Sequence, residues 1–326
     1  MTQARVAIVI VTYNSGAEIG ACLDAISSLD GMEIVVVDNA SADCTRAEVE
    51  RRGIRLIPNR TNAGFAGGVN QGVRATSAPL VLLLNPDTHV VRDPDTHVLR
   101  GIDALASRFA DTRMGAAGGL LISRDGTPQT GFFARSLPTP AALIFEVLGI
   151  NRLWPRNPVN WHYRCLNLDP MRAQAVEQPA GAFLMFRREA WDRIGGFDER
   201  FWPVWFEDVD FCARLRMDRW TVCYEPNAVA VHRGAHSIRD LPVEKLQRYW
   251  YRSLLGYAGK YYKPVVFRII CLAVAAGAIG RSLAGVRRGG LRNLAIYAGV
   301  WSFAWKRFFA PHPDERLLLS DVRREI

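Results

Sequence analysis

No uninterrupted run of apolar residues in this 326-residue chain approaches the ~20 that one helix needs to cross a bilayer. The six cysteines form no C-x-x-C pair and have no zinc-ligand spacing with histidine. A disulfide scaffold and a structural zinc module are therefore not expected. Low-complexity tracts are absent, which argues against a disordered, collagenous or repeat protein. No segment has the G-x-G-x-x-G or P-loop spacing, so the usual phosphate fingerprints are missing. The N-terminus passes straight into Val6–Val11, a six-residue apolar run that ends in Thr12. That predicts a buried strand rather than a signal peptide, and so a cytoplasmic chain with reduced thiols.

Charge is present but unevenly placed. The net charge is +9, yet residues 239–326 carry 16 Lys/Arg against 6 Asp/Glu, and residues 1–238 carry 25 against 26. A basic tail on a neutral body points to an anionic surface as partner. The same tail holds two twelve-residue apolar runs, 269–280 and 294–305, bounded by basic residues. Tyr297, Trp301 and Trp305 lie in the second. Runs of that length suit interfacial helices, or helices capping the main domain. The charge segregation favours the membrane surface, and the apolar runs argue against nucleic acid.

The first ~90 residues alternate strand and helix signals. Strands are expected at Val6–Val11, Glu33–Val37, Ile54–Ile57 and Leu80–Leu84. Helices are expected after Ser15, after the capping signal Ser41-Ala-Asp43, and over Gly64–Thr76. Continuous apolar strands alternating with helices predict a mainly parallel sheet covered on both faces. Prolines between 138 and 170 break up the next stretch into loops and short helices. Strand-like Phe183–Phe186 and Val229–Val231 then frame a helix that begins near Asp208. The organisation expected is a domain over 1–238, with a nucleotide-binding half to about 90 and an acceptor half over 91–238. A basic, apolar helical segment, 239–326, follows.

Ligands in such sheets sit at the carboxyl ends of strands. The polar residues there are Thr12-Tyr13-Asn14, Asp38-Asn39 and Asn85-Pro86-Asp87. Asp38 can accept hydrogen bonds from a base or from ribose hydroxyls. Asp87 suits a divalent cation, Mg²⁺ or Mn²⁺, bridging two phosphates. The segment from Asn62 to Gly72 holds Gly64, Phe65 and Asn70. Its glycines serve either close approach to a ligand or tight helix–sheet packing. Glu207, Asp208 and Asp210 crowd three carboxylates into four residues beside Trp202, Trp205 and Phe206. That apolar bulk would raise a carboxyl pKa and suit a general base. His232, just past a strand, can complete a metal site begun by a carboxylate. His89, His97, His162 and His312 have no such context.

In order, Val11-Thr-Tyr-Asn14, Val37-Asp-Asn-Ala-Ser41, the Asn62–Gly72 segment, Asn85-Pro-Asp87, Gly195-Gly-Phe-Asp-Glu199 and Glu207-Asp-x-Asp210 resemble the family-2 glycosyltransferases of GT-A fold. The rhamnosyltransferase branch is nearest, and Trp154-Pro-Arg-Asn-Pro158 also looks like enzymes building lipid-linked cell-wall precursors. The resemblance covers about 6–237. It implies an α/β GT-A sheet and an inverting transfer from a nucleotide-diphosphate sugar, dTDP-rhamnose, to a lipid-linked saccharide. The enzyme would sit peripherally on the inner face of the plasma membrane. Thr12, Asn14, Asp38, Asn39, Asn62, Gly64, Phe65, Asn70 and Asn85 would bind the donor. Asp87 and His232 would hold the cation, and Asp208, with Glu207 beside it, would be the base. The chain departs from the usual Asp-x-Asp at Asn85, which puts more weight on His232. A sugar-phosphate nucleotidyltransferase fits the nucleotide half, but Thr12–Gly16 lacks the basic residues it needs. A non-catalytic nucleotide-sugar binding module is the other alternative.

Overall fold

The computed structural model describes residues 5–26, 31–91, 100–234 and 241–310. By internal packing the chain divides into two units. The first comprises Met1–Ser136, Leu168–Pro203 and Glu207–Asp240; the second comprises Leu137–Asn167, Val204–Phe206 and Leu241–Ile326. The expected boundary at 238/239, with His97, His236 and His312, lies outside the described residues.

The first unit opens as the apolar pattern predicts. Its elements are β1 (Val6–Thr12), α1 (Gly16–Ile26), β2 (Glu33–Asp38), α2 (Thr45–Glu50), β3 (Arg55–Pro58), α3 (Gly64–Arg74) and β4 (Leu80–Leu84). Every residue of β1 and β4 is buried, as strands covered on both faces must be. Then come β5 (Thr88–Val90), α4 (Arg100–Arg108), β6 (Met114–Ile122) and β7 (Ala134–Arg135). The second unit begins with α5 (Pro140–Leu148), α6 (Ile150–Leu153) and α7 (Pro158–Tyr163). The chain returns to the first unit with β8 (Gln174–Ala175), β9 (Gln178–Pro179), β10 (Phe183–Arg187), α8 (Arg188–Arg193), α9 (Glu207–Met217) and β11 (Thr221–His232).

The main sheet runs β3-β2-β1-β4-β10-β6-β11-β5, with β8 also on β11. β1, β2, β3 and β4 are parallel, and so are β6 and β11. β10 is inserted antiparallel between β4 and β6. The expected mixed, mainly parallel sheet with flanking helices is therefore what forms. One consequence matters most for the site. β5 follows β4 by three residues but pairs with β11, two strands beyond β10. Residues 85–87 therefore link the end of β4 to a strand on the outer side of β11.

The glycines of α3 settle one open question from the sequence. A Cβ on Gly68 would lie 2.6 Å from Val11 Cγ1, and one on Gly72 would lie 2.4 Å from Val9 Cγ1. These two glycines let the helix lie close against β1, so here helix–sheet packing, not ligand approach, is the reason. The second helix departs slightly from expectation. It starts at Thr45, whose N–H bonds Asp43 Oδ1 at 3.0 Å, while Ser41 turns to Asp38 instead.

The second unit corrects the reading of the tail. After α10 (Val243–Tyr261), the two apolar runs lie on one continuous 46-residue helix, α11 (Pro264–Phe309). Its first part, Pro264–Ala284, is 21 residues long and apolar enough to cross a membrane by length and composition. The segment between the two runs, 281–293, is part of the same helix. In the structure Arg281 is an anchor: it donates to the carbonyls of Glu146 and Val147 at the end of α5 and to Tyr251 Oη of α10. A cation there offsets the partial negative charge of a helix C-terminus. α5 itself is well bounded. The Thr139 hydroxyl accepts from Ala142 N, Pro140 occupies the first turn, and Gly149 closes it at φ 77°.

Candidate active site

The carboxyl ends of β1 and β2 meet in a dense polar rim. Asp38 is fully buried and accepts from Thr12 Oγ1 at 3.0 Å, Ser41 N at 3.0 Å, Arg46 Nε at 2.6 Å and the Ser41 hydroxyl. Asn14, at φ 49°, receives Ala42 N on its side-chain oxygen and donates its own N–H to Ser41 Oγ, each at 2.8 Å. Asn39 bonds the Gly64 carbonyl at 3.0 Å and accepts from Asn59 Nδ2 at 2.9 Å. Asn62 Oδ1 accepts from Gly64 N at 2.8 Å. Gly64 has φ +78°, and a Cβ there would meet Trp202 Cδ1 at 2.7 Å. Phe65 N bonds the Pro203 carbonyl at 2.8 Å, which ties the rim to the Trp202–Pro203 turn.

The structure thus brings Thr12, Asn14, Asp38, Asn39, Asn62, Gly64 and Phe65 into one hydrogen-bonded edge. It separates Asn70 from them. The Asn70 amide donates to the Phe197 carbonyl and Glu199 Oε1 and accepts from Phe197 N, each at 2.9 Å. Both its amide hydrogens and its oxygen are engaged in holding the Gly195–Glu199 segment.

The second cluster lies where residues 85–87 cross the sheet. Asn85 N bonds the Ala182 carbonyl at 3.0 Å, and Arg233 N bonds the Asp87 carbonyl at 3.0 Å. Thr88 is in register with His232. The crossing is therefore tied at one end to the start of β10 and at the other to the end of β11. It sets His232 Nε2 3.7 Å from Asp87 Oδ1, with both side chains buried. Burial holds the His232 imidazole below its ordinary range, opposed by the Asp87 charge. Asn85 Oδ1, Asp87 Oδ1 and Thr88 Oγ1 are buried acceptors without a partner among the described residues. Unpaired buried acceptors are costly and call for a positive or donating group.

Among the described residues no three His, Cys, Asp or Glu side chains form a ready metal cage. The donor set still suits a magnesium-like ion, which takes one or two protein ligands and fills its shell with phosphate oxygens and water. An imidazole nitrogen and an unpartnered carboxylate oxygen face each other at a separation too long for a hydrogen bond. The residues present fit a cation shared with a bound diphosphate.

The third cluster is the start of α9, preceded by Trp205 and Phe206 at φ 76° and 69°. The three carboxylates there have three different fates. Asp210 is fully buried and paired with Arg214 at 2.8 Å, one turn on. Glu207 is buried, and its Oε2 has no partner among the described residues. Burial and the neighbouring Asp208 charge push its pKa well up. Asp208 keeps part of its surface open. Its Oδ2 accepts from Gly181 N and Gln178 Nε2, each at 3.0 Å, and its Oδ1 accepts from Val209 N at 2.8 Å. Desolvation raises its pKa; the Gly181 and Val209 N–H groups and the charge of Arg135 oppose the rise. The pair expected from sequence is thus divided: Asp208 keeps part of its carboxylate open and held by donors, and Glu207 is buried beside it.

Asp208 is bound to Gly181, next to Ala182, which in turn holds Asn85. The segments bearing Asp87, Asp208 and His232 therefore meet at one end of the sheet. Sequence reasoning missed Gln129, Phe132, Arg135 and Gln178 here. Each joins the site only through contacts some 30 to 100 residues away in the chain.

Comparison with known proteins accords with this geometry. The model of Glycosyl transferase family 2 matches residues 7–117, and that of the N-terminal domain of galactosyltransferase matches residues 164–236. The first span holds the rim and Asp87; the second holds Asp208 and His232. The chain is 34% identical over 258 residues to the N-acetylglucosaminyl-diphospho-decaprenol L-rhamnosyltransferase of Mycobacterium tuberculosis, covering 73% of this chain and 79% of that one. It is 29% identical over 215 residues to a low-salt glycan biosynthesis hexosyltransferase of Haloferax volcanii, covering 65% and 61% respectively. Among solved structures it resembles a mannosyltransferase from Pyrobaculum calidifontis in complex with GDP-Man and Mn²⁺. The TM-score is 0.53 at 19% identity, over 94% of this chain and 81% of that one.

Glu207 gives a testable pH signature. Its folded pKa lies above the unfolded value, so its stabilising contribution is full below the unfolded pKa and is lost as pH rises toward the folded one. Urea titrations of wild type and Glu207→Gln between pH 4.5 and 8 should show the variant gaining relative stability as pH rises. Parallel stability curves for the two proteins would mean that Glu207 ionises as freely when folded as when unfolded.

Proposed function

The chain belongs to glycosyl transferase family 2, and on that premise we propose that it transfers L-rhamnose, with inversion, from dTDP-rhamnose to a hydroxyl of a lipid-linked saccharide. That it is a glycosyltransferase follows from the family. The sugar and the acceptor class rest on the 34% identity with a rhamnosyltransferase whose name carries a decaprenol-linked N-acetylglucosamine. The observation that carries the mechanism is Asp208: one partly open carboxylate, held by three donors, at the end of the sheet where Asp87 and His232 face each other.

The chemistry follows from those positions. The rim from Thr12 to Phe65 receives the nucleoside, with Asp38 already braced by Arg46 and Ser41. Asp87 and His232 would hold a divalent cation, Mg²⁺ or Mn²⁺, which when bound neutralises charge growing on the leaving diphosphate. Asp208 takes the proton of the acceptor hydroxyl as that oxygen attacks the anomeric carbon opposite the diphosphate. Burial disfavours a charge on Glu207, which limits negative charge beside the base. A single displacement inverts the anomeric centre.

The acceptor implies a membrane, and the second unit supports that reading. Val265, Ile269, Leu272, Ile279 and Leu283 of α11 are exposed at successive turns. The opposite face, with Phe267, Ile270, Val274 and Ala278, is buried, and α11 packs on α5 and α10. A helix with one face packed on protein and one apolar face open suits the plane of an interface better than a lipid-surrounded span. We place the enzyme peripherally on the cytoplasmic face of the membrane.

Asp208→Asn should lower kcat/KM for transfer by about 10²–10⁴-fold, the usual share of a general base, with dTDP affinity by calorimetry unchanged. An equal loss of dTDP affinity would make Asp208 a binding group. The membrane placement has its own test. The protein should float with vesicles containing phosphatidylglycerol, and Ile269→Glu/Leu272→Glu should abolish flotation while dTDP still binds. Flotation unaffected by the double variant would remove the exposed face of α11 from the account.

A further inference from the structure

His232 is held by a side chain that neither the motifs nor the family assignment points to. Gln129 lies beyond the end of β6, its backbone N–H bonded to the Leu121 carbonyl at 2.9 Å. Its amide makes two bonds to one residue. Nε2 donates to the His232 carbonyl at 2.7 Å, and Oε1 lies 2.9 Å from His232 Nδ1. The first bond fixes the orientation of the amide, because a carbonyl can only accept. The oxygen must then be the atom that faces Nδ1, and Nδ1 must carry the hydrogen. Nε2 is left with its lone pair, and Nε2 is the atom 3.7 Å from the unpartnered Asp87 Oδ1.

The same short segment packs against the ring. Phe132 stacks on His232 with centroids 5.0 Å apart and planes 5° from parallel. Arg135 lies 5.6 Å from the Phe132 centroid, and its Nε bonds the Gly131 carbonyl at 2.7 Å. The Arg135 charge also acts on Asp208. Residues 129–135 thus touch the imidazole on one side and set the field of the base on the other.

We propose that Gln129 is a positioning residue for the transfer reaction: it locks His232 in the Nδ1–H tautomer, so that the Nε2 lone pair is presented to a cation beside Asp87. The tautomer lock stands on the two Gln129 bonds; its consequence for the cation rests on the reading of Asp87 and His232 given above. A ring nitrogen free to bind metal needs its other nitrogen engaged, and removing such an outer partner usually costs metal affinity about 10–100-fold.

The test reads the tautomer and the metal separately. In protein labelled with ¹⁵N-histidine, ¹H–¹⁵N long-range spectra without metal report the His232 tautomer, with His232→Ala identifying its signals among the six histidines. Wild type should show the Nδ1–H form. Gln129→Leu should shift toward the Nε2–H form or a mixture. Gln129→Glu gives up the bond to the His232 carbonyl but still accepts from Nδ1–H, and should keep the Nδ1–H form. Mn²⁺ titration followed by electron paramagnetic resonance, with dTDP present, should show affinity about 10–100-fold weaker in Gln129→Leu and largely restored in Gln129→Glu. An Nε2–H form in wild type, or an unchanged tautomer in Gln129→Leu, overturns the role of Gln129. Mn²⁺ affinity untouched by His232→Ala refutes the cation reading instead, and the spectra still decide for Gln129.

Discussion

The whole site depends on one crossing of the chain. Residues 85–87 leave β4 in the middle of the sheet and deliver β5 to its far edge. Two backbone bonds pin the crossing, Asn85 N to Ala182 and Arg233 N to Asp87. Because backbone groups make those bonds, side-chain substitution does not easily undo them. The crossing lays Asp87 along the carboxyl ends of other strands and sets it against His232 at the end of β11. Without it, the acid of β4 and the histidine of β11 would be separated by β10 and β6. The antiparallel β10 contributes at the same place. Its leading residues hold Asn85 on one side and Asp208 on the other.

Electrostatics then divides labour among acids that look alike in sequence. Asp210 is paired with Arg214, burial raises the pKa of Glu207, and Asp208 alone combines donors with an open edge. The same logic applies to Asp38. Four donors surround it, so it shapes the loop to Ser41 and braces the rim.

Local signals made much of this legible. Unbroken apolar runs gave β1, β2 and β4, and the polar residues just past them are the rim and the crossing. The GT-A expectation was sound because those motifs lie on strand ends, where the parallel sheet forces ligands to bind. What the sequence hid depends on long-range register. Asn70 looked like a donor ligand, but its partners Phe197 and Glu199 lie about 130 residues away. Gln129 sits in a polar loop with nothing to mark it, and its partner is 103 residues on. The α3 glycines left ligand approach and helix–sheet packing both open, because composition cannot tell a phosphate from a strand as the close neighbour. The two apolar runs of the tail look separate in sequence, although one helix carries both and the half-buried Arg281 between them bonds α5 carbonyls.

The central claim is that Asp87, Asp208 and His232 serve one substrate at one end of the sheet. The most direct measurement is a crystal structure with dTDP and Mn²⁺, using anomalous scattering to locate the metal. The account predicts manganese within about 2–2.5 Å of both Asp87 and His232, with the diphosphate on it and Asp208 across the sugar position. Manganese bound elsewhere, or a diphosphate remote from Asp208, would contradict it.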